Sequence, residues 1–144
     1  MKLVDANVLI YAVDSTAQHH AASKRWLDAA LNGSETILLP WVSTLAFIRI
    51  TTNPRLLAAP LTSQQALEVV HAWLQRPNVV APEPDAQHTR RLAELLAAVG
   101  IGGNLVNDAH LAALALQWGA TVVTFDSDFG RFPSVSWESP QPAE

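Results

Sequence analysis

Ala120-Thr121-Val122-Val123-Thr124-Phe125-Asp126-Ser127-Asp128-Phe129 decides the architecture. Residues 121–125 are β-branched or aromatic, the composition of a strand that packs on both sides, and the run ends in acid. The start of the chain repeats the arrangement. Lys2-Leu3-Val4-Asp5 is a short apolar run closed by a carboxylate, and Ala6-Asn7-Val8-Leu9-Ile10-Tyr11-Ala12 follows it. Between these two stretches Asp108 opens a long Ala/Leu helix.

Working outward, strands and helices alternate. Residues 2–5, 36–39, 78–81 and 121–125 read as strands, with 135–137 as a last edge strand. Helices are expected through Val13 with Asn7 as the cap, from His20 to Leu31 closed by Asn32-Gly33, and from Trp41 to Thr51 stopped by Asn53-Pro54. On the last of these, Val42, Leu45, Ala46 and Arg49 share one face. Leu67, Val70, His71 and Leu74 repeat at i, i+3, i+4, i+7, which predicts a helix over 63–76 started by Thr62 or Ser63. Asp85 caps a helix carrying Leu92, Leu95, Leu96 and Val99, and Gly100, Gly102 and Gly103 break it. Leu105 to Trp118 is the next helix, with Asn107 as its cap. Such alternation implies an α/β fold with a parallel sheet covered on both faces.

The chain has 144 residues, 49% of them hydrophobic and 15% charged. That suits one domain, expected over 1–138, with 139–144 as a frayed tail. No apolar stretch approaches the roughly 18 residues of a membrane-spanning helix. Lys2 and Asp5 lie too close together for a signal peptide. With no Cys there is no disulfide and no thiolate metal site, which fits the cytoplasm. The net charge of −4 excludes a broad basic surface of the kind that coats nucleic acid. Binding to nucleic acid would have to be local.

A parallel sheet collects the C-terminal ends of its strands at one edge, where open α/β sheets bind ligands. Asp5, Asp108 and Asp126 are expected there. Gathered carboxylates repel one another unless a cation neutralises them. The sequence therefore points to a Mg²⁺ or Mn²⁺ site, and ions held by carboxylates commonly act on phosphates. Each acid also has a plainer reading: Asp5 as a helix cap, Asp108 as compensation of the helix dipole, Asp126 and Asp128 as an Asx-type turn. Asp126 is the preferred ligand of the last pair because it is nearer the strand end. The five His lack ligand spacing, and His88 and His110 are expected to be exposed. Trp41 and Trp137 are the Trp expected at the surface. Arg49, Arg55, Arg90, Arg91 and Arg131 are the cations available to meet phosphate.

These residues resemble a known family. Leu-Val-Asp-Ala-Asn-Val-Leu-Ile-Tyr-Ala at 3–12, Asn-Asp-Ala-His-Leu-Ala-Ala-Leu-Ala at 107–115 and Val-Val-Thr-Phe-Asp-Ser-Asp-Phe at 122–129 are similar to motifs of the PIN-domain ribonucleases, and within them of VapC-type toxins of bacterial toxin–antitoxin pairs. The resemblance implies a three-layer α/β/α sandwich with a mostly parallel central sheet. It implies a Mg²⁺- or Mn²⁺-dependent endoribonuclease acting on a structured RNA of the translation machinery, of the tRNA or rRNA class. It also implies a homodimer and a cognate VapB-type antitoxin. The family's first, third and fourth acids fall on Asp5, Asp108 and Asp126. Its second, a Glu in the helix after the second strand, falls on Ala46, with Thr44 one residue off that face. This departure leaves a rival reading, a PIN-like module that grips RNA or protein without cutting. A phospho-receiver domain also gathers acids at strand ends, but it needs a late Lys, and none follows Lys24.

Overall fold

A computed structural model describes residues 1–100 and 102–142. Lys2–Val4 (β1), Ile37–Leu38 (β2), Val79–Val80 (β3), Thr121–Val123 (β4) and Trp137–Glu138 (β5) form one sheet in the order β3-β2-β1-β4-β5. Every pairing between these strands is parallel, with Leu3 beside both Leu38 and Val122. The helices are Ala6–Val13 (α1), His20–Asn32 (α2), Trp41–Thr51 (α3), Ser63–Leu74 (α4), His88–Val99 (α5) and Val106–Trp118 (α6).

Strand side chains alternate between faces, and here both faces are buried. Leu3, Leu38 and Val122 pack with Leu95, Leu111 and Leu114, which belong to α5 and α6. Val4, Ile37 and Val123 point the other way, onto Val8, Leu9, Leu27, Phe47 and Val70 of α1 to α4. The result is the expected α/β/α sandwich with a parallel sheet. Crossovers carry the chain from β1 outward to β2 and β3, and β4 then returns to the opposite side of β1. The β1/β4 boundary is thus the switch point of the sheet, where connections leave for opposite faces and a crevice opens.

Several local expectations need correction. Asn7 does not cap α1. Asp5 does, its Oδ1 accepting from Ala6 N at 2.7 Å. Asn107 lies inside α6, whose cap position is Leu105. Gln87 occupies the cap position of α5, and Asp85 sits just ahead, accepting from Gln87 N. Leu67 of α4 is exposed, and the buried residues of that helix are Ala66, Val70 and Trp73. On α3, Ser43, Thr44, Phe47 and Thr51 are buried, whereas Leu45 and Arg49 face solvent. Apolar residues occur all round α3, so periodicity alone could not pick its core face. His88 and His110 are half-buried between α5 and α6, with Nε2 of one 2.8 Å from Nδ1 of the other. Trp41 is exposed as expected, but Trp137 packs partly against the core. The expected frayed tail is tied down at its start. Ser139 Oγ donates to the Thr124 carbonyl, Pro140 is buried, and Arg25 donates to the Gln141 carbonyl. Residues 143 and 144, and Ile101 of the glycine-rich breaker, lie outside the described residues.

Phe47 is one of three Phe among the largest fully buried side chains and meets the Trp73 ring at 4.9 Å, joining α3 to α4. Phe47→Ala is expected to cost about 3–5 kcal/mol, measured by urea unfolding. A loss below about 1 kcal/mol would show that α3 is not anchored through this ring.

Candidate metal centre

Asp5 leaves β1 at the switch point, and Asp126 follows β4, the neighbouring strand. The link between them is Thr124, which is fully buried. Its hydroxyl donates to Asp5 Oδ2 at 2.8 Å and accepts from Asn7 Nδ2 at 3.2 Å and from Asp126 N at 2.9 Å. One donor and two acceptor positions are all the hydroxyl has, so its hydrogen-bonding capacity is used in full. Asn7 returns the contact by accepting from Phe125 N at 3.3 Å. Asp126 caps the 3₁₀ segment Ser127–Arg131, its Oδ1 accepting from Asp128 N at 2.9 Å. That turn brings Asp128 round toward the cleft.

Asp108 arrives from the opposite wall. It lies in the first turn of α6, and Ala109, Ala112 and Ala113 are fully buried against the sheet. Their small side chains let the helix approach closely. Asp5, Asp108 and Asp126 line one open cleft of about 520 Å³ together with Tyr11, Asp14 and Leu57. The three expected acids are therefore brought together. A carboxylate oxygen from each of Asp108, Asp126 and Asp128 lies within 4.8 Å of the others. Asp5 borders this group; its Oδ1 accepts from Ala6 N and its Oδ2 from the Thr124 hydroxyl.

The electrostatics follow from the crowding. Burial, then the charges of Asp126, Asp5 and Asp128, push the Asp108 carboxyl up to about 7. Burial also raises Asp5, against the hydrogen bonds from Thr124 and Ala6, and the Asp126 charge adds to the rise. The ion pairs among the described residues join Met1 to Glu35, Lys2 to Glu138, Lys24 to Asp28 and Arg91 to Asp85, so none neutralises this cleft. Oxygen donors at this spacing, with unbalanced negative charge, fit a hard divalent cation such as Mg²⁺ or Mn²⁺.

Ala46 also faces this region. It lines a smaller cavity with Asp5, Ser43, Asn107 and Asp108, which is where a Glu at this position would reach. Thr44 does not: it is buried, and its Oγ1 donates to the Trp41 carbonyl at 3.2 Å. The hydroxyl beside the acids belongs to Ser43. Sequence reasoning missed Ser43 and Thr124 and took Asn7 for a cap. The one signal for Thr124 was its place two residues before Asp126, at the end of a buried strand.

Residues 2–135 match the PIN domain family. The chain belongs to the PIN-domain family. Over 140 residues it is 50% identical to a Mycobacterium tuberculosis protein named Ribonuclease VapC37, covering 97% of each chain. It is 34% identical to Ribonuclease VapC33 of the same species, covering 97% of this chain and 98% of that one. This PIN domain is thus of the VapC type. Its fold matches that of VapBC2 from Rickettsia felis, solved bound to a promoter DNA fragment, with a TM-score of 0.67 at 22% identity over 96% of this chain and 97% of that one. It also matches VapC20 of M. tuberculosis, described as a Sarcin-Ricin loop cleaving toxin, with a TM-score of 0.67 at 14% identity over 90% and 93% of the two chains.

The raised acids give the metal-free protein a pH signature. In the unfolded chain the Asp108 carboxyl has its ordinary value, 3.8. Between that value and about 7 the folded state holds more protons than the unfolded one, so stability falls as pH rises. In chelator, the melting temperature should decline from about pH 4 to about pH 7. Asp108→Asn should flatten that slope relative to the parent. Equal slopes would mean that Asp108 does not carry the strain of the cluster.

Proposed function

We propose that this PIN domain is a divalent-metal-dependent endoribonuclease, the toxin of a VapBC-type pair, held in check by a cognate VapB-type antitoxin. The carrying observation is the convergence of Asp5, Asp108 and Asp126, with Asp128 beside them, at a sheet switch point where no Lys or Arg among the described residues forms an ion pair with them. The 50% identity to a protein named a ribonuclease supports the same reading. Asp5, Asp108 and Asp126 would hold Mg²⁺ or Mn²⁺, with Asp128 as a fourth acid. A bound ion of this kind lowers the pKa of a coordinated water and polarises a phosphodiester.

The chain's own residues do the rest. Thr124 and Asn7 fix the Asp5 carboxylate before any ion arrives. Leu56 and Leu57 bring an apolar wall to the cleft, and Arg55, which precedes them and is exposed, would meet a phosphate outside the acidic floor. Tyr11 lines the cleft and packs near Phe125, whose ring stacks on His19 at 4.3 Å. Such aromatic groups suit an unpaired base of a structured RNA, and RNA of the tRNA or rRNA class offers such bases. Among the described residues no helix is long and apolar enough to cross a membrane. A cytoplasmic homodimer is the working form we propose, as for the family at large. Ala46, in place of an acid, favours the rival of a binding module with little or no cleavage.

The deciding experiment incubates the purified chain with tRNA and rRNA in Mg²⁺, in Mn²⁺ and in chelator, and maps new 5′ ends. Cleavage should require the ion and fall to background in Asp5→Asn and Asp126→Asn. Tight RNA binding with no ion-dependent ends would select the binding module.

A further inference from the structure

Ser43 stands in the first turn of α3 with only 1% of its surface exposed. Hydroxyls on this helix ordinarily find a backbone carbonyl. Thr44 Oγ1 donates to Trp41 O, and Thr51 Oγ1 donates to Phe47 O at 2.7 Å. Ser43 Oγ does neither, and no described protein group hydrogen-bonds to it. Ser43 is instead one of the residues lining a cavity of about 110 Å³ that Asp5, Ala46, Asn107 and Asp108 also border. A buried hydroxyl without a protein partner calls for water or a ligand. This cavity is roomy enough for water, and Asp5, Asn107 and Asp108 give such a water polar partners.

We propose that Ser43 is a positioning residue of the metal centre. Its hydroxyl holds water in the cavity beside Ala46, and that water supports a divalent cation bound at Asp5 and Asp108. The inference rests on the metal-dependent reading above. It also explains how the site works with Ala at position 46. A Glu there would put a carboxylate into the cavity, whereas Ala leaves room for water that Ser43 can orient. Groups that act through such outer contacts commonly change metal affinity by about tenfold or more.

Ser23 supplies a built-in control. It is equally buried on α2, and its Oγ also lacks a protein partner, but it lines neither acidic cavity. The test is calorimetric titration of the full chain with Mn²⁺, together with melting in chelator. Wild type, Ser43→Ala, Ser23→Ala, Ala46→Glu and the Ser43→Ala/Ala46→Glu double variant are compared. Ser43→Ala should weaken Mn²⁺ about tenfold while the metal-free melting temperature stays near wild type. Ser23→Ala should leave the affinity unchanged. Ala46→Glu should tighten Mn²⁺ and lower metal-free stability, because a further carboxylate joins the crowd. In that background Ser43→Ala should lose most of its effect, since the water has been displaced. If Ser43→Ala melts early, Ser43→Cys, close in size but a weaker donor, carries the same expectation. Wild-type affinity in the Ser43 variants, or an equal loss in Ser23→Ala, overturns the assignment while leaving the metal centre standing. A wild type that binds no Mn²⁺ overturns both.

Discussion

The hydrogen bond from Thr124 to Asp5 is the contact on which the site depends. Parallel packing of β1 against β4 delivers two chain ends to one place, and both lead into acids. Without restraint, carboxylates so close together would swing apart toward solvent. The Thr124 hydroxyl prevents this by donating to Asp5 Oδ2 while accepting from Asn7 Nδ2 and Asp126 N. One buried oxygen therefore fixes the first acid, the backbone leading to the second, and Asn7 in the first turn of α1. A hydrogen bond to an ionised carboxylate is stronger than a neutral one. That gain partly offsets the burial that drives Asp5 upward. Asp108 has no hydrogen bond of comparable strength in the cleft, and its carboxyl is the one pushed up to about 7.

The alanines of α6 are the second half of the same design. Ala109, Ala112 and Ala113 are fully buried, and any larger side chain there would lift the helix from the sheet. Lifting it would carry Asp108 away from Asp126 and Asp128. The small residues thus convert a packing distance into an electrostatic one. The half-buried His88–His110 pair lies on the same α5–α6 face. Burial lowers both imidazoles, and neutral rings can pack between helices where charged ones could not.

Much of this was legible from residues alone. Strand ends are marked by a change from β-branched residues to acid, so Asp5 and Asp126 declare themselves, and Asp108 does so through its place at the start of an Ala/Leu helix. The parallel sheet follows from alternation. What stayed hidden depends on rotation rather than order. The core face of α3 is set by which way the helix turns over the sheet, and with apolar residues on most sides its sequence leaves that undecided. Ser43 and Ala46 therefore reach the acids while Leu45 points to solvent. The cap of α1 was misread because Asp5 and Asn7 are both good caps. The competition was settled by tertiary structure: Asn7 is drawn to Thr124 and Phe125, and Asp5 takes the helix end. His88 and His110 were misplaced for a related reason, since neither shows in its own helix that the other waits across the interface.

The Ala at position 46 is best understood through charge balance. Asp5, Asp108, Asp126 and Asp128 already crowd the cleft, and burial, with the neighbouring charges added, pushes the Asp108 carboxyl up to about 7. A further acid on α3 would raise that cost in the absence of a cation. Asp128 enters from the turn after β4, where it is exposed and its charge remains hydrated. A carboxylate at 46 would instead border the buried cavity shared with Ser43. The chain leaves the α3 wall of the cleft uncharged, with Ser43 and Ala46 beside Asp5 and Asp108. That distribution spares metal-free stability while still gathering three carboxylate oxygens within 4.8 Å of one another.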